Sequence, residues 1–511
     1  MSDRTTTPNS DGATVVLEGQ SMASGHLTLA HWALSLDSFW SIDAVFNTIF
    51  VFLDGVRADL LRLVPAIIAS CVVVLGIRIA CDGYKKAPQI AAAATVIALL
   101  GLPTFYLCYF FLSSVSHVGT TLWCLIAFFA LSRERRRTIG PSWAIGVIFL
   151  AAGLLGDLQM FALGVVPVLL AGIVRMMRAR SLRAGLPLVA ASVTSLLVAG
   201  FVRGIAELIG TYSIGKVQGR AKGAQIRENF SNLVSGIKQL LGQRSGLQGA
   251  LKISEQLHVV LLVLVVALVG VGLLRLIVGG VTGNAKSEHR QRDPANLKAM
   301  GWLVDDLLLF GCVGGMVTFV VLASANDFNY DRYLTSAVVF GVILGARQLA
   351  WLLSSAKSTW SLLPVTAVGL AVIGVFCINI ESMLASPDVA WPETPLVNFL
   401  EAHHLDQGIG DYWSASIVTV VSNGNVTVRP VISNPAGKLV RYDRQSSSDW
   451  YEAKSFQFLV YNLAIPVGVE LGTATSTFGE PDHTYQIGTF TVLTWSHPVS
   501  VSLQGYDPNA G

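Results

Sequence analysis

The chain has 511 residues, 52% of them hydrophobic and only 13% charged, with a mean hydropathy of +0.58, a balance that excludes an ordinary soluble enzyme and points to a polytopic membrane protein. The net charge of +3 gives no support to a nucleic-acid partner, because the arginines cluster between apolar runs and act as orientation signals. All six cysteines (Cys71, Cys81, Cys108, Cys124, Cys312, Cys377) fall in or beside apolar runs in no metal-ligand spacing, which excludes a disulfide framework or a zinc site and leaves them as packing residues.

Residues 1–61 begin polar and continue as HWALSLDSFWSIDAVFNTIFVFLDG, an amphipathic aromatic stretch expected to lie as an interfacial helix on the outer side. An outside segment of this length ordinarily follows a signal or a span, so a first transmembrane helix upstream of Met1 is expected. Apolar runs then follow at roughly 62–81, 88–112, 117–132, 142–156, 158–174, 185–206, 257–280, 303–324, 333–354 and 361–380, about ten spans within a helical bundle covering 62–380. With the first running inward, Lys85/Lys86, Arg133 to Arg137, Arg175 to Arg183, Lys286 to Lys298 and Arg347/Lys357 all fall inside, while the short outer loops are nearly free of basic residues. Arg78, Arg203, Arg275 and Arg347 lie toward span ends, where they are expected to snorkel.

One run contains an acid. GLLGDLQMF (153–161) sits in an otherwise charge-free stretch of about 37 residues, which as a single helix would be about 55 Å long, well beyond a hydrocarbon core of about 30 Å. It would also place basic clusters on both sides of the membrane. Two short spans joined by a turn at Gly156-Asp157 keep both clusters inside and set Asp157 at the outer face.

The loop 207–256 carries the amphipathic piece ENFSNLVSGIKQLLGQ and reads either as a helix packed over the bundle or as a lid, with Lys216, Arg220, Lys222 and Arg227 contacting a lipid phosphate. At 381–511 the composition changes: prolines, a short helix LVNFLEAHHL, then SIVTVVSNGNVTVRPV, whose Asn423-Gly424 reads as the turn of a hairpin, and later strand-like runs. A small extracytoplasmic α+β domain without cysteine is expected.

Polar residues then collect at the outer ends of spans: Asp37 and Asp43, His117 in SSVSHVG, Asp157, and NDFNYDRYL (326–334) with Arg332 and Tyr333. Carboxylates, a histidine and an arginine from four distant stretches on one membrane face fit a site acting on a polar group at the surface. Each residue by itself also fits an ordinary loop end.

The pieces FWSID, SHVGTTLW, GLLGDLQMF, DRYL and GDYWSAS, set in this architecture, resemble the GT-C type polytopic membrane glycosyltransferases, such as protein mannosyltransferases and lipid A aminoarabinose transferases. The acidic pair that such enzymes carry directly after a first span has no counterpart here. The resemblance implies a bacterial inner-membrane enzyme that transfers a sugar from a polyprenyl-phosphate donor, with inversion, to an extracytoplasmic glycan, lipid or protein. A first-loop carboxylate would be the general base: Asp43 first, then Asp37, Asp11 or Glu18. Asp157 would orient the acceptor, or hold a divalent cation such as Mg2+ or Mn2+ if the enzyme uses one. Arg332, Tyr333 and His117, with Arg220 and Lys222 of the lid, would face the lipid phosphate, arginine pairing its oxygens bidentately. The competing readings are a multi-span transporter or flippase, which would place ionisable residues near the mid-plane, and a non-catalytic accessory protein of surface-glycan assembly.

Overall fold

The computed structural model describes residues 2–6, 8–133, 140–214, 220–241, 266–275, 297–321, 328–355, 387–452, 454–465 and 468–508, with isolated positions between 369 and 385. The apolar run at 361–380 lies largely outside these residues, as do Lys216, Asn326 and Asp327.

Two short helices, α1 (Ser2–Thr5) and α2 (Ser10–Ala23), lead into strand β1 (Trp32–Leu34) and helix α3 (Asp43–Asp54). Asn9 starts α2 by accepting from the N–H of Gly12 at 3.1 Å. The helix is buried along most of its length, from Ser10 to Gly19 with Asp11 alone half-buried, so this first segment is an internal element of the fold. Helix α3 is two-faced: Asp43, Ala44, Asn47 and Val51 are buried, while Ile49, Phe52 and Leu53 are exposed, the pattern of a helix with one face on the protein and one on an apolar medium.

The bundle continues with α4 (Leu60–Ala80), α5 (Ala87–Val96), α6 (Phe105–Phe111), α7 (Val118–Ser132), α8 (Pro141–Gly156), α9 (Val166–Ala179), α10 (Leu182–Leu208), α11 (Ala224–Leu240), α12 (Val266–Arg275), α13 (Leu297–Val321) and α14 (Arg332–Ser355). Among the described residues, five helical stretches are long and apolar enough to cross a membrane: Leu60–Ala80, Phe161–Ala179, Leu182–Leu208, Leu303–Val321 and Arg332–Ser355. A sixth is counted if the stretch Ala87–Gly101 and α6, bent by 81°, form one span. The bend falls at Leu102-Pro103-Thr104: Pro103 has no N–H to continue the ladder, and Thr104 restarts it by accepting from the N–H of Leu107 at 3.2 Å. Helices α7 and α8 are shorter than these spans. The charge-free stretch folds as two helices, α8 ending at Gly156 and a π-helical turn (Phe161–Val165) leading into α9.

The bundle interior corrects one expectation. Arg347 does not snorkel but is 1% exposed, pairing with Asp305 (Nε to Oδ1 2.5 Å) and donating to the carbonyls of Ile79 (2.6 Å) and Asp82 (3.2 Å). Arg275 joins the same carboxylate at 3.6 Å, while Arg178 grips Asp306 with two bonds of 2.6 and 3.1 Å. Neighbouring residues on a helix point about 100° apart, so the consecutive acids 305 and 306 face different neighbours and anchor α13 on two sides. An arginine enclosed by the bundle finds its counter-charge there and has no route to water.

The tail is built on α15 (Thr394–Ala402), β3 (Gln407–Gly410), α16 (Tyr412–Val421), β4 (Thr427–Ser433), β5 (Leu439–Tyr442), β6 (Ser446–Ser447), β7 (Phe456–Asn462), α17 (Leu471–Phe478), β8 (His483–Ile487), β9 (Phe490–Val499) and β10 (Ser502–Tyr506). Its seven-stranded mixed sheet has the order β10-β5-β4-β3-β7-β9-β8, with β3 parallel to both β4 and β7. The expected hairpin at Asn423-Gly424 is absent: SIVTVV lies in α16, and the dipeptide ends that helix. Both residues are left-handed (φ 55° and 81°), and Gly424 N–H donates to Thr419 O at 2.9 Å, closing the helix before β4. Asp411 caps the other end through the N–H of Ser414 at 3.1 Å. The β-branched run looks like a strand because α16 is buried on both sides, between the sheet and α2, and so lacks a polar face.

Three distant segments meet in a small second sheet, β2 (Ser213–Ile214), β1 and β6, with Ala33 paired to Ser213 and Trp32 to Ser447. The first segment, the loop after α10 and the tail are thereby tied together.

Candidate functional site

The cluster forms where the segment carrying FWSID is held between the start of α7 and the end of α8. Phe39 N–H donates to Gly156 O at 2.8 Å, and Ser41 Oγ to Ala152 O at 2.5 Å. The approach leaves no space for side chains at two glycines. A Cβ on Gly156 would lie 2.8 Å from Ser41 Oγ, and one on Gly119 would lie 2.6 Å from Asp43 Oδ2. This is why SHVGTT and GLLGD carry glycine at those positions.

Asp37, His117 and Asp157 bring one ligand atom each to within 4.8 Å of one another. His117 and Asp157 are fully buried, with Asp37 half-buried beside them. Asp157 Oδ2 lies 2.7 Å from His117 Nδ1 and also accepts from Thr120 Oγ1, and its Oδ1 accepts from the N–H of Gln159 at 2.8 Å. Burial works to raise the Asp157 carboxyl, but the imidazole and the two other donors outweigh it and hold the group below the usual carboxylate range. An ionised carboxylate only accepts, so Nδ1 of His117 carries the proton of that bond. The imidazole ring packs between Phe39 and Tyr333, with centroids at 5.4 and 4.8 Å.

The other carboxylates are pushed the opposite way. Asp37 is raised to about 6 by burial and by the charge on Asp157, with Arg332, His117 and the N–H of Leu158 opposing. Asp43, enclosed under the first turn of α7 with Oδ2 lacking a hydrogen-bond partner, is raised to about 7 by burial above all. Glu18 of α2 is also buried with an unpartnered Oε2, and burial together with Asp43 raises it well above its usual value. One carboxyl is thus held low while its neighbours are pushed up, and such a division of pKa values separates acid and base roles at a site.

Backbone strain collects at the same place. Phe39, Val115 and His117 all have positive φ (52°, 55° and 59°), a conformation costly for residues with a Cβ and held only where the surroundings fix it.

Arg332, at the first turn of α14, lies within electrostatic reach of Asp37 and Asp11, and its guanidinium is 5.2 Å from the Tyr333 ring centroid. Asp11 is in turn held by the Tyr412 hydroxyl of the tail. Arg220 and Lys222 are exposed, and neither forms a hydrogen bond or ion pair with the cluster. Helix α11 packs on α13 and α14, where Gly236 lies against the Asp331 carboxylate. Sequence reasoning missed Thr120, Gln159 and Tyr412; the threonine three residues after His117 in SHVGTT was the available signal.

A cavity of about 370 Å³ is lined by Trp40, Leu155, Arg203, Glu207 and Tyr212, near the cluster residues in sequence but with none of them in its wall. As a cation site, Asp37 and the remaining lone pair of Asp157 Oδ1 offer hard oxygen ligands suited to Mg2+ or Mn2+, while Nδ1 of His117 is already engaged with Asp157. No protein-family model matches this sequence, and no curated protein matches it either.

Proposed function

We propose that this protein is a glycosyltransferase of the bacterial inner membrane, moving a sugar from a polyprenyl-phosphate donor to an extracytoplasmic glycan, lipid or protein acceptor. The observation that carries the reading is the meeting of Asp37, His117 and Asp157 from three distant segments, with Arg332 in electrostatic reach of Asp37. Asp37 is the base: it is the half-buried carboxylate of the cluster, whereas Asp43 lies enclosed beneath α7. It takes the proton of the acceptor hydroxyl as that oxygen bonds to the anomeric carbon and the bond from this carbon to the phosphate oxygen breaks. Asp157 fixes the His117 ring, and Arg332 with Tyr333 receives the phosphate that leaves with the lipid.

The fuller membrane arrangement belongs to the same proposal: about ten spans with the tail outside, supported by the basic groups at alternate loops. The test is accumulation of polyprenyl-phosphate sugar in cells whose only copy carries Asp37→Asn. Accumulation with loss of glycan transfer, at normal levels of folded protein, is expected. Undiminished transfer would refute the assignment.

A further inference from the structure

A groove lies away from this cluster, along α4. It has a volume of about 1120 Å³ and is lined by Leu63, Ala66, Ser70 and Val74 of α4 and by Leu100 and Phe111, either side of the bend between α5 and α6. From Asp59 to Val74 the wall is about 22 Å long at 1.5 Å per residue, more than half of a hydrocarbon core of about 30 Å. A trough of that length, apolar along a helix able to span the membrane, is matched to a hydrocarbon chain of one leaflet.

The mouth carries charge in a definite order. Arg62, 11% exposed, lies deepest: it donates to Asp3 (3.0 Å) and to Val389 O (2.6 Å), lies 4.3 Å from the Trp391 ring centroid, and keeps a buried Nε without a hydrogen-bond partner among the described residues. Arg57 is bound to Asp59 at 2.7 and 3.0 Å and also to Asp54. Asp3 and Asp59 form the outer rim, with side chains 65% and 57% exposed. Cations inside and carboxylates outside mirror a lipid headgroup whose phosphate is next to the glycerol and whose ammonium points to water. A headgroup with net negative charge would meet the carboxylate rim first, and a mouth of two carboxylates and two guanidiniums has no excess positive charge to hold it.

We propose that this groove is a binding site for a zwitterionic phospholipid, one chain in the trough, the phosphate at Arg57 and Arg62, and the amine at Asp3 and Asp59. The proposal rests on the chain spanning a membrane, not on glycosyl transfer, and its failure leaves the Asp37 test untouched. Because the mouth joins α1, α4 and the segment before α15, such a lipid braces the tail against the bundle.

The test is native mass spectrometry of the delipidated full chain in detergent, titrated with phosphatidylethanolamine or phosphatidylglycerol. One phosphatidylethanolamine is expected to bind at least about tenfold more tightly than phosphatidylglycerol, a difference of about 1.4 kcal/mol. Ser70→Trp, which fills the trough from an exposed position, and Arg57→Gln, at the exposed mouth, should each weaken it by a similar factor. Melting temperatures of the delipidated variants verify that they fold, and Arg57→Gln serves if Ser70→Trp does not. Equal binding of the two lipids, or binding unaffected in a folded variant, would overturn the proposal.

Discussion

The bond between His117 and Asp157 makes a quantitative prediction. In Asp157→Asn the amide oxygen can still accept from Gln159 N–H, but the amide nitrogen then faces Thr120 and His117, so two donors lose a charged acceptor. Hydrogen bonds to a charged group contribute about 1.5–3 kcal/mol each, and breaking a buried pair costs about 3–5 kcal/mol, so a loss of about 3–5 kcal/mol is expected. Much of that would come from leaving His117 without its acceptor, which a double-mutant cycle isolates. His117→Asn is the suitable partner because asparagine tolerates the left-handed backbone at this position (φ 59°). Unfolding of wild type, both single variants and the double variant in one detergent should give a coupling of about 1.5–3 kcal/mol. Coupling below about 0.5 kcal/mol, the range of independent sites, would refute the pairing.

Asp43 and Asp37 have folded pKa values raised to about 7 and about 6, so their stabilising contribution is fully present below about pH 4 and is lost as pH rises through those values. Asp43→Asn should therefore flatten the fall in stability toward pH 7, by at most about 4 kcal/mol for a shift of about three units, as read by unfolding midpoints across pH. On the proposed reading, transfer activity should rise with pH through about 6 as Asp37 loses its proton, and Asp37→Asn should remove about a hundredfold or more of the rate without a matching loss of folded protein. Arg332→Lys keeps the charge but loses the fork, and should slow turnover while the melting temperature holds. Gly424→Ala puts a Cβ at φ 81° and should cost about 1–2 kcal/mol, measured on the full chain.

The membrane-embedded character was legible in the sequence because hydropathy is a sum over residues and needs no partner. The break at Gly156-Asp157 was legible too, since length and flanking charge left no room for one helix. The convergence of Asp37, His117 and Asp157 was an expectation of shared membrane face only, and contact was decided by packing. Gly119 and Gly156 let the segment carrying FWSID come within van der Waals contact, and that approach buried Asp43 while leaving Asp37 half-open. Tertiary structure also overruled local pattern twice. SIVTVV has strand propensity, yet it is a helix because the sheet and α2 bury both its faces and a left-handed Asn-Gly closes it. Arg347 lies near a span end, yet the bundle closes over it and Asp305 supplies the charge that water would have. In each case the sequence specified what a residue prefers in isolation, while its neighbours in space determined which preference could be met.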